Sequence, residues 1–354
     1  MSIISIIGAG MMGTALCWPL VDNGHTVRLV GTPLDEEIIA GIRQIGLHPR
    51  LSRHIPEQVQ AFDHTQISAA LEGAEIVASG VSSFGVPWFI EAVGPFLKPE
   101  VPVIAVTKGL VDGPDGSLQI LPRYIDEHLP AEISGQISLN AIGGPCIAHE
   151  LAARRQTAVV FCGQDANVLE RLQLVFQTSY YHIWTSMDMV GVEVCAALKN
   201  AYALGVGLAV GMFEKIGPDG LAQMYNPQAA LFAQSCLEMR HFLELLGGSV
   251  ENIAWLPGAG DLYVTVFGGR TVRMGRLLGT GLPYPEARQI MAGETLESVE
   301  IITRVGRALL KLEAGGLIRA GEFPLMQHLY RIVLEGEKVK IPWEAFFQKN
   351  VARG

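Results

Sequence analysis

Short, mainly apolar runs punctuate the first half of the chain: Ser2–Ile7, Thr26–Val30, Ile76–Ser79, Val103–Ala105, Gln136–Ala141 and Thr157–Phe161. They are rich in Ile and Val and are bounded by Gly, Pro, Asp or Ser. A strand covered on both faces needs no polar alternation, so such runs predict buried parallel strands. Between them lie two-sided stretches, among them Thr14–Asn23 and Pro56–Gln60, which predict helices. Strands alternating with helices imply an α/β, doubly wound sheet. The pattern changes near Ser186–Val190. From Gly191 onward, Val192–Met212, Pro227–Leu246 and Leu296–Leu312 repeat apolar residues at helical spacing, and no further run of strands follows. Gly205, Gly207 and Gly211 should let another helix approach closely, and Gly247-Gly248 suits a helix stop. The reading is therefore two domains, 1–189 with the sheet and 190–354 all helical.

Composition narrows the function classes. Of 354 residues, 49% are apolar and 17% charged, which suits packed cores rather than a disordered chain. The net charge of −9 argues against nucleic acid, whose phosphates call for a basic stripe. The apolar runs look too interrupted to span a bilayer, and the N-terminus does not read as a signal peptide. Five widely spaced cysteines with no CxxC suit a reducing, cytoplasmic setting. The histidines show no metal-ligand spacing, so no metal is expected.

The first strand runs into Gly8-Ala9-Gly10-Met11-Met12-Gly13, followed by Thr14-Ala15-Leu16. In such a GxGxxG turn the first glycine allows the tight bend and the second admits a pyrophosphate. The third lets the helix pack on the strand. Residues 1–189 thus read as a dinucleotide-binding domain. NAD binders place an acid after the second strand, but Val30-Gly31-Thr32-Pro33 is neutral there, and Asp35 comes late. Thr32 is able to donate to a 2′-phosphate, although Arg28 lies mid-strand and no arginine clamp stands beside it. NADP is favoured over NAD.

Further segments carry a more specific signal. Ala105-Val106-Thr107-Lys108-Gly109-Leu110, Gly143-Gly144-Pro145, Ala197-Leu198-Lys199-Asn200 and Gly258-Ala259-Gly260-Asp261-Leu262, then Gly268-Gly269-Arg270, occur in this order. Together they resemble the NAD(P)-dependent glycerol-3-phosphate dehydrogenase family from Met1 to about residue 335. Leu47-His48-Pro49-Arg50-Leu51 is most similar to its archaeal-type branch. The resemblance implies a Rossmann-like domain followed by an all-α domain of the 6-phosphogluconate dehydrogenase C-terminal type. It also implies reversible reduction of dihydroxyacetone phosphate to sn-glycerol 3-phosphate with NAD or NADP, in a homodimer.

By the same resemblance Lys199 is the acid/base, with Lys108 and Asp261 completing the catalytic set. Arg270, Thr271, Thr265, Gly144, Cys146 and Asn200 would meet the substrate. Gly8, Gly10, Met11, Met12, Gly13, Thr32, Ser82, Lys108, Ala148, Arg270 and Glu297 would meet the cofactor. Hydride transfer to a ketone builds negative charge on its oxygen, which a lysine can protonate. Arg270 in its glycine-rich setting suits a phosphate, and Arg273 and Arg276 would add to the positive field. Three positions depart from the family: Thr271 stands for Asn, Cys146 for Ser or Thr, and Ser298 for Gly. They leave open a different phosphorylated or phosphonate ketone or polyol. Two other readings remain: a ketopantoate or 3-hydroxyacid-type reductase, and a non-catalytic dinucleotide sensor. The bland reading of Lys199 is a lysine snorkelling to solvent, and that of Asp261 is a helix cap.

Overall fold

The computed structural model describes residues 1–216 and 225–347. The strands are β1 (Ile3–Ile7), β2 (Thr26–Val30), β3 (Leu47–His48), β4 (Arg53–His54), β5 (Val59–Phe62), β6 (Ile76–Ser79), β7 (Val103–Ala105), β8 (Leu110–Asp112), β9 (Leu118–Ile120), β10 (Leu139–Gly143), β11 (Thr157–Cys162) and β12 (Tyr181–Ser186). Two compact units share them: Met1–Lys108 with Leu121–Glu193, and Gly109–Ile120 with the chain from Val194 onward. Sequence pattern puts the boundary near residue 189 and gives no hint that 109–120 leaves the first unit. The expected helical domain 190–354 includes 217–224 and 348–354, which lie outside the described residues.

The first unit is built on an eight-stranded sheet in the order β12-β11-β10-β7-β6-β1-β2-β5. From β1 the chain moves outward through β2 to β5, then returns to β6 on the other side of β1. That reversal is the switch point where doubly wound sheets bind ligands at their carboxyl ends. Pairing is parallel except between β10 and β11, so Thr157–Cys162 is not parallel to its inner neighbour as expected. The short α7 and the reversal at Arg154, with φ 56°, bring the chain back without a full crossover. The unit's helices are α1 (Met11–Ala15), α2 (Cys17–Asp22), α3 (Glu36–Ile45), α4 (Ile67–Leu71), α5 (Val86–Val93), α6 (Leu121–His128), α7 (Ala148–Ala152) and α8 (Ala166–Phe176). The single helix expected over Thr14–Asn23 is broken at Leu16, because Pro19 has no N–H to return to Ala15. Pro56–Gln60 is not helical. Val59 and Ala61 turn to the core in the edge strand β5, a period of two rather than 3.6.

Among the described residues the second unit is helical apart from the β8–β9 hairpin. Its helices are α9 (Met189–Ile216), whose first turn belongs to the first unit, α10 (Tyr225–Leu246), α11 (Asp261–Val266), α12 (Gly269–Gly279), α13 (Tyr284–Ile290), α14 (Glu297–Ala314) and α15 (Pro324–Tyr330). By length and composition Met189–Glu214 is apolar enough to cross a membrane, contrary to the sequence reading, yet it is 94% buried and serves as a core helix. Helix α9 meets α12 backbone to backbone. A Cβ on Gly211 would land 2.0 Å from Arg276 O, and one on Gly275 or Gly279 2.2 Å from Leu204 O or Leu208 O.

Glu238 on α10 is fully buried. Its oxygens accept from Tyr202 Oη, Gln234 Nε2 and the backbone N–H groups of Leu325 and Met326 at 2.7–3.0 Å, supplying acceptors to the open start of α15. Burial nevertheless pushes its carboxyl up to about 7. The hairpin is gripped by one face of α14. Arg304 Nη1 donates to Leu110 O at 3.0 Å, Arg307 pairs with Asp112 at 3.1 Å, and Lys311 Nζ donates to Gly113 O at 3.2 Å.

Candidate active site

In the first unit the glycine-rich turn lies at the switch point, and it is built from backbone alone. Gly8 sits at φ 108°, where only glycine is unstrained. A Cβ on Gly13 would lie 2.4 Å from Gly8 O, and one on Gly80, just after β6, 2.8 Å from the same oxygen. Gly80 escaped the sequence reading, although a glycine ending a predicted strand was its signal. Gly10 precedes α1, Met11 is exposed and Met12 half-buried, so the turn presents backbone rather than side chains. Gly8, Gly13 and Gly80 thus pack backbone on backbone, and a turn this tight at the start of α1 fits the pyrophosphate of a dinucleotide.

Two further residues lock this turn, and the sequence reading gave neither that role. Asp35 Oδ2 accepts from Ala9 N at 3.2 Å, Thr32 N at 2.9 Å and Thr32 Oγ1 at 2.8 Å. Leu51 N donates to His48 Nδ1 at 3.1 Å, which makes Nε2 the donor to Ala9 O at 2.9 Å. Both ends of the Ala9 unit are therefore held. The Thr32 hydroxyl proton is committed to Asp35, so the expected donation to a 2′-phosphate has no free proton behind it. Asp35 is buried and turned inward, so it does not present the acid that favours NAD.

Ser82 follows β6 and opens a single 3₁₀ turn, and Thr107 Oγ1 donates to Val81 O at 2.7 Å, tying the β6 and β7 loops together. Lys108, half-buried, donates to Gly144 O at 3.4 Å. Gly144 has φ 112°, and half-buried Cys146 and Ala148 follow it into α7. All of these expected residues therefore stand at the carboxyl ends of adjacent parallel strands.

In the second unit Lys199 pairs with Asp261, the first residue of α11. Their side chains are 11% and 1% exposed, so Lys199 is not a snorkelling lysine. An ammonium in a buried helix needs a partner, and breaking such a pair costs about 3–5 kcal/mol. Asp261 leaves a π-helical turn, Leu256–Gly260, in which a Cβ on Gly258 would lie 2.5 Å from Asn252 O. Thr265 Oγ1 donates to Asp261 O at 2.6 Å, and Asn200 is buried beside Lys199 in sequence.

Arg270 is exposed at the start of α12 and lines a cleft with Phe213, Tyr225, Phe267, Arg273 and Glu294. Neither Lys199 nor Asp261 belongs to that wall. Arg273 pairs with Glu294 at 2.7 Å and Arg276 with Glu214, so neither supplies the unpaired positive charge expected of it. Arg270 has no carboxylate partner among the described residues. Thr271 is half-buried behind it. Glu297 opens α14, and Ser298 next to it is fully buried with its hydroxyl unpartnered.

Comparison with known proteins identifies the family of both halves of the chain. The sequence profile described as NAD-dependent glycerol-3-phosphate dehydrogenase N-terminus matches residues 3–169, and that described as the C-terminus matches 188–344. The NADP(+)-dependent glycerol-3-phosphate dehydrogenase of Archaeoglobus fulgidus is 33% identical over 341 residues, covering 96% of this chain and 97% of that one. The crystal structure of glycerol-3-phosphate dehydrogenase from Coxiella burnetii superposes with a TM-score of 0.80 at 27% identity, covering 97% of each chain. A ketopantoate reductase from Ralstonia eutropha JMP134 reaches a TM-score of 0.55 at 17% identity, covering 94% of this chain and 97% of that one, a likeness of fold alone.

Proposed function

The chain belongs to the NAD-dependent glycerol-3-phosphate dehydrogenase family, and from that premise we propose how its residues reduce dihydroxyacetone phosphate to sn-glycerol 3-phosphate. It is an NAD(P)-dependent oxidoreductase acting on a CH–OH group. A dinucleotide seated on the Gly8–Gly13 turn, against Gly80, supplies the hydride. The observation that carries the chemistry is the Lys199–Asp261 pair, a shielded ammonium held by a buried carboxylate.

As the carbonyl carbon accepts hydride, its oxygen becomes an alkoxide, and Lys199 Nζ gives that oxygen its proton. Asp261 fixes the ammonium's position. In the reverse direction Lys199 takes the hydroxyl proton back. Lys108 orients the substrate oxygens, and Arg270 grips the phosphate, with the Thr271 hydroxyl donating where the family has an amide. The Asp35 carboxylate is turned inward to Ala9 N and Thr32 N, so it does not itself face a 2′-phosphate, and this favours NADPH over NADH. A cytoplasmic homodimer is the state expected of such an enzyme.

Purified protein given dihydroxyacetone phosphate should oxidise NADPH, and NADH more slowly, with saturation in both substrates. A protein that binds NADPH yet leaves it unoxidised would assign the altered Thr271 and Cys146 pocket to another substrate.

A further inference from the structure

Glu193, in the first turns of α9, is fully buried, and neither carboxyl oxygen has a hydrogen-bond partner. A buried carboxylate is costly without donors, so this group calls for an explanation. The groups that act on it come from neighbouring elements of the first unit. The Lys108 charge, in the loop after β7, acts on it electrostatically, and Glu193 acts in turn on the Cys162 thiol at the end of β11; Asp188, in the turn before α9, bears on Cys162 as well. The sheet register sets Cys162 opposite Ala141, just ahead of Gly143, and the next residue, Gly144, accepts from Lys108 Nζ at 3.4 Å. The carboxyl is thus enclosed at the corner of the sheet that holds the Lys108 ammonium, sealed from anything outside.

We propose that Glu193 is a positioning residue that works through Lys108: as a neutral acid it leaves the ammonium to the substrate oxygens, and as a carboxylate it draws that ammonium inward. The proposal rests on the reading of Lys108 as the cation that orients the substrate. Burial pushes the Glu193 carboxyl up to about 8 and the Lys108 charge pulls it back, so the change of state falls close to neutral pH. The Cys162 thiol is pushed well above its ordinary value by burial and by Glu193, and stays neutral throughout that range. An anion arriving at Lys108 competes for its charge and so favours the protonated form of Glu193.

Difference infrared spectroscopy of the whole protein without ligand reads this group directly. The carbonyl band of a protonated acid should titrate at about 8, be missing from Glu193→Gln and move to higher pH in Lys108→Met. A band that titrates in the ordinary carboxylate range, or a midpoint unmoved by Lys108→Met, overturns the proposal. Glu193→Gln is isosteric and removes the ionisable group; should it fail to fold, the Lys108→Met titration still decides. In steady-state kinetics the alkaline fall of kcat/KM for dihydroxyacetone phosphate should move to higher pH in Glu193→Gln, and a fall that stays in place counts against the coupling. A protein silent toward dihydroxyacetone phosphate would defeat the functional reading while leaving the infrared result to stand or fall alone.

Discussion

Lys199 and Asp261 come from different helices of the second unit, and each explains the other's burial. Lys199→Met should lower kcat by about two orders of magnitude or more while leaving NADPH affinity, measured by fluorescence titration, nearly unchanged. The same change removes the ammonium that faces the buried Asp261, so the melting temperature should fall as well. Unaltered turnover in Lys199→Met would remove it from the proton path. Thr271 allows a sharper test of the substrate. If the pocket serves dihydroxyacetone phosphate, Thr271→Asn should lower its KM, because an amide offers two donors to the phosphate where the hydroxyl offers one. A raised KM would point to a substrate shaped for the threonine. Lys199 stood out as a charge in an apolar helical segment and Arg270 as one in a glycine-rich stretch, whereas Lys108 and Asp261 were singled out only by the family resemblance. The commitment of Arg273 and Arg276 to Glu294 and Glu214 was not legible, because a partner distant in sequence leaves no mark nearby. That of Thr32 to Asp35, three residues on, depends on Asp35 turning inward to Ala9 N, which the local sequence does not record.

Helix α9 was legible as a helix, and its glycines as a place of close approach. Gly207 and Gly211 meet α12, whereas a Cβ on Gly205 would lie 3.5 Å from Leu325 and Leu329 of α15, an ordinary contact. The matching glycines on α12, Gly275 and Gly279, lie four apart in a stretch whose arginines drew the attention instead. Gly279→Ala would force a Cβ to within 2.2 Å of a backbone oxygen that cannot swing aside. Overpacking of this kind should destabilise the protein by about 1–3 kcal/mol, seen as a lower midpoint in urea unfolding. An unchanged midpoint would mean that the two helices are free to separate. Because α12 opens with Gly269-Arg270, the same packing also fixes where Arg270, the residue proposed to grip the phosphate, begins its helix. The β8–β9 hairpin went unread because its strands are three residues each, too short for an alternating pattern, and side chains of α14 hold it.

Across the whole molecule, two buried glutamates should give stability an unusual dependence on pH. Glu193 is pushed up to about 8 and Glu238 to about 7, from an ordinary value of 4.5. The folded state keeps these protons at pH values where the unfolded chain has lost them, so their contribution is full below 4.5 and lost as pH rises through 7 and 8. Buried His48 and His328 are lowered from 6.5 by desolvation, so their contribution is present above 6.5 and lost as pH falls below it. Unfolding free energy measured in urea should therefore decline from 6.5 upward, and Glu193→Gln should flatten that decline. An equal slope in both proteins would mean that Glu193 is not protonated in the fold. The chain by itself determined the doubly wound sheet, the glycine-rich turn, the long helices and the lysine within the first of them. Each of these rests on local periodicity, backbone conformation or a charge set among apolar neighbours. Only the tertiary structure decided that β11 runs antiparallel, that residues 109–120 join the second unit, that Asp35 and His48 clamp the turn, and that Glu193 is sealed beside Lys108. Those features depend on which surfaces meet once the chain has folded, and a residue's nearest sequence neighbours carry no record of its distant ones.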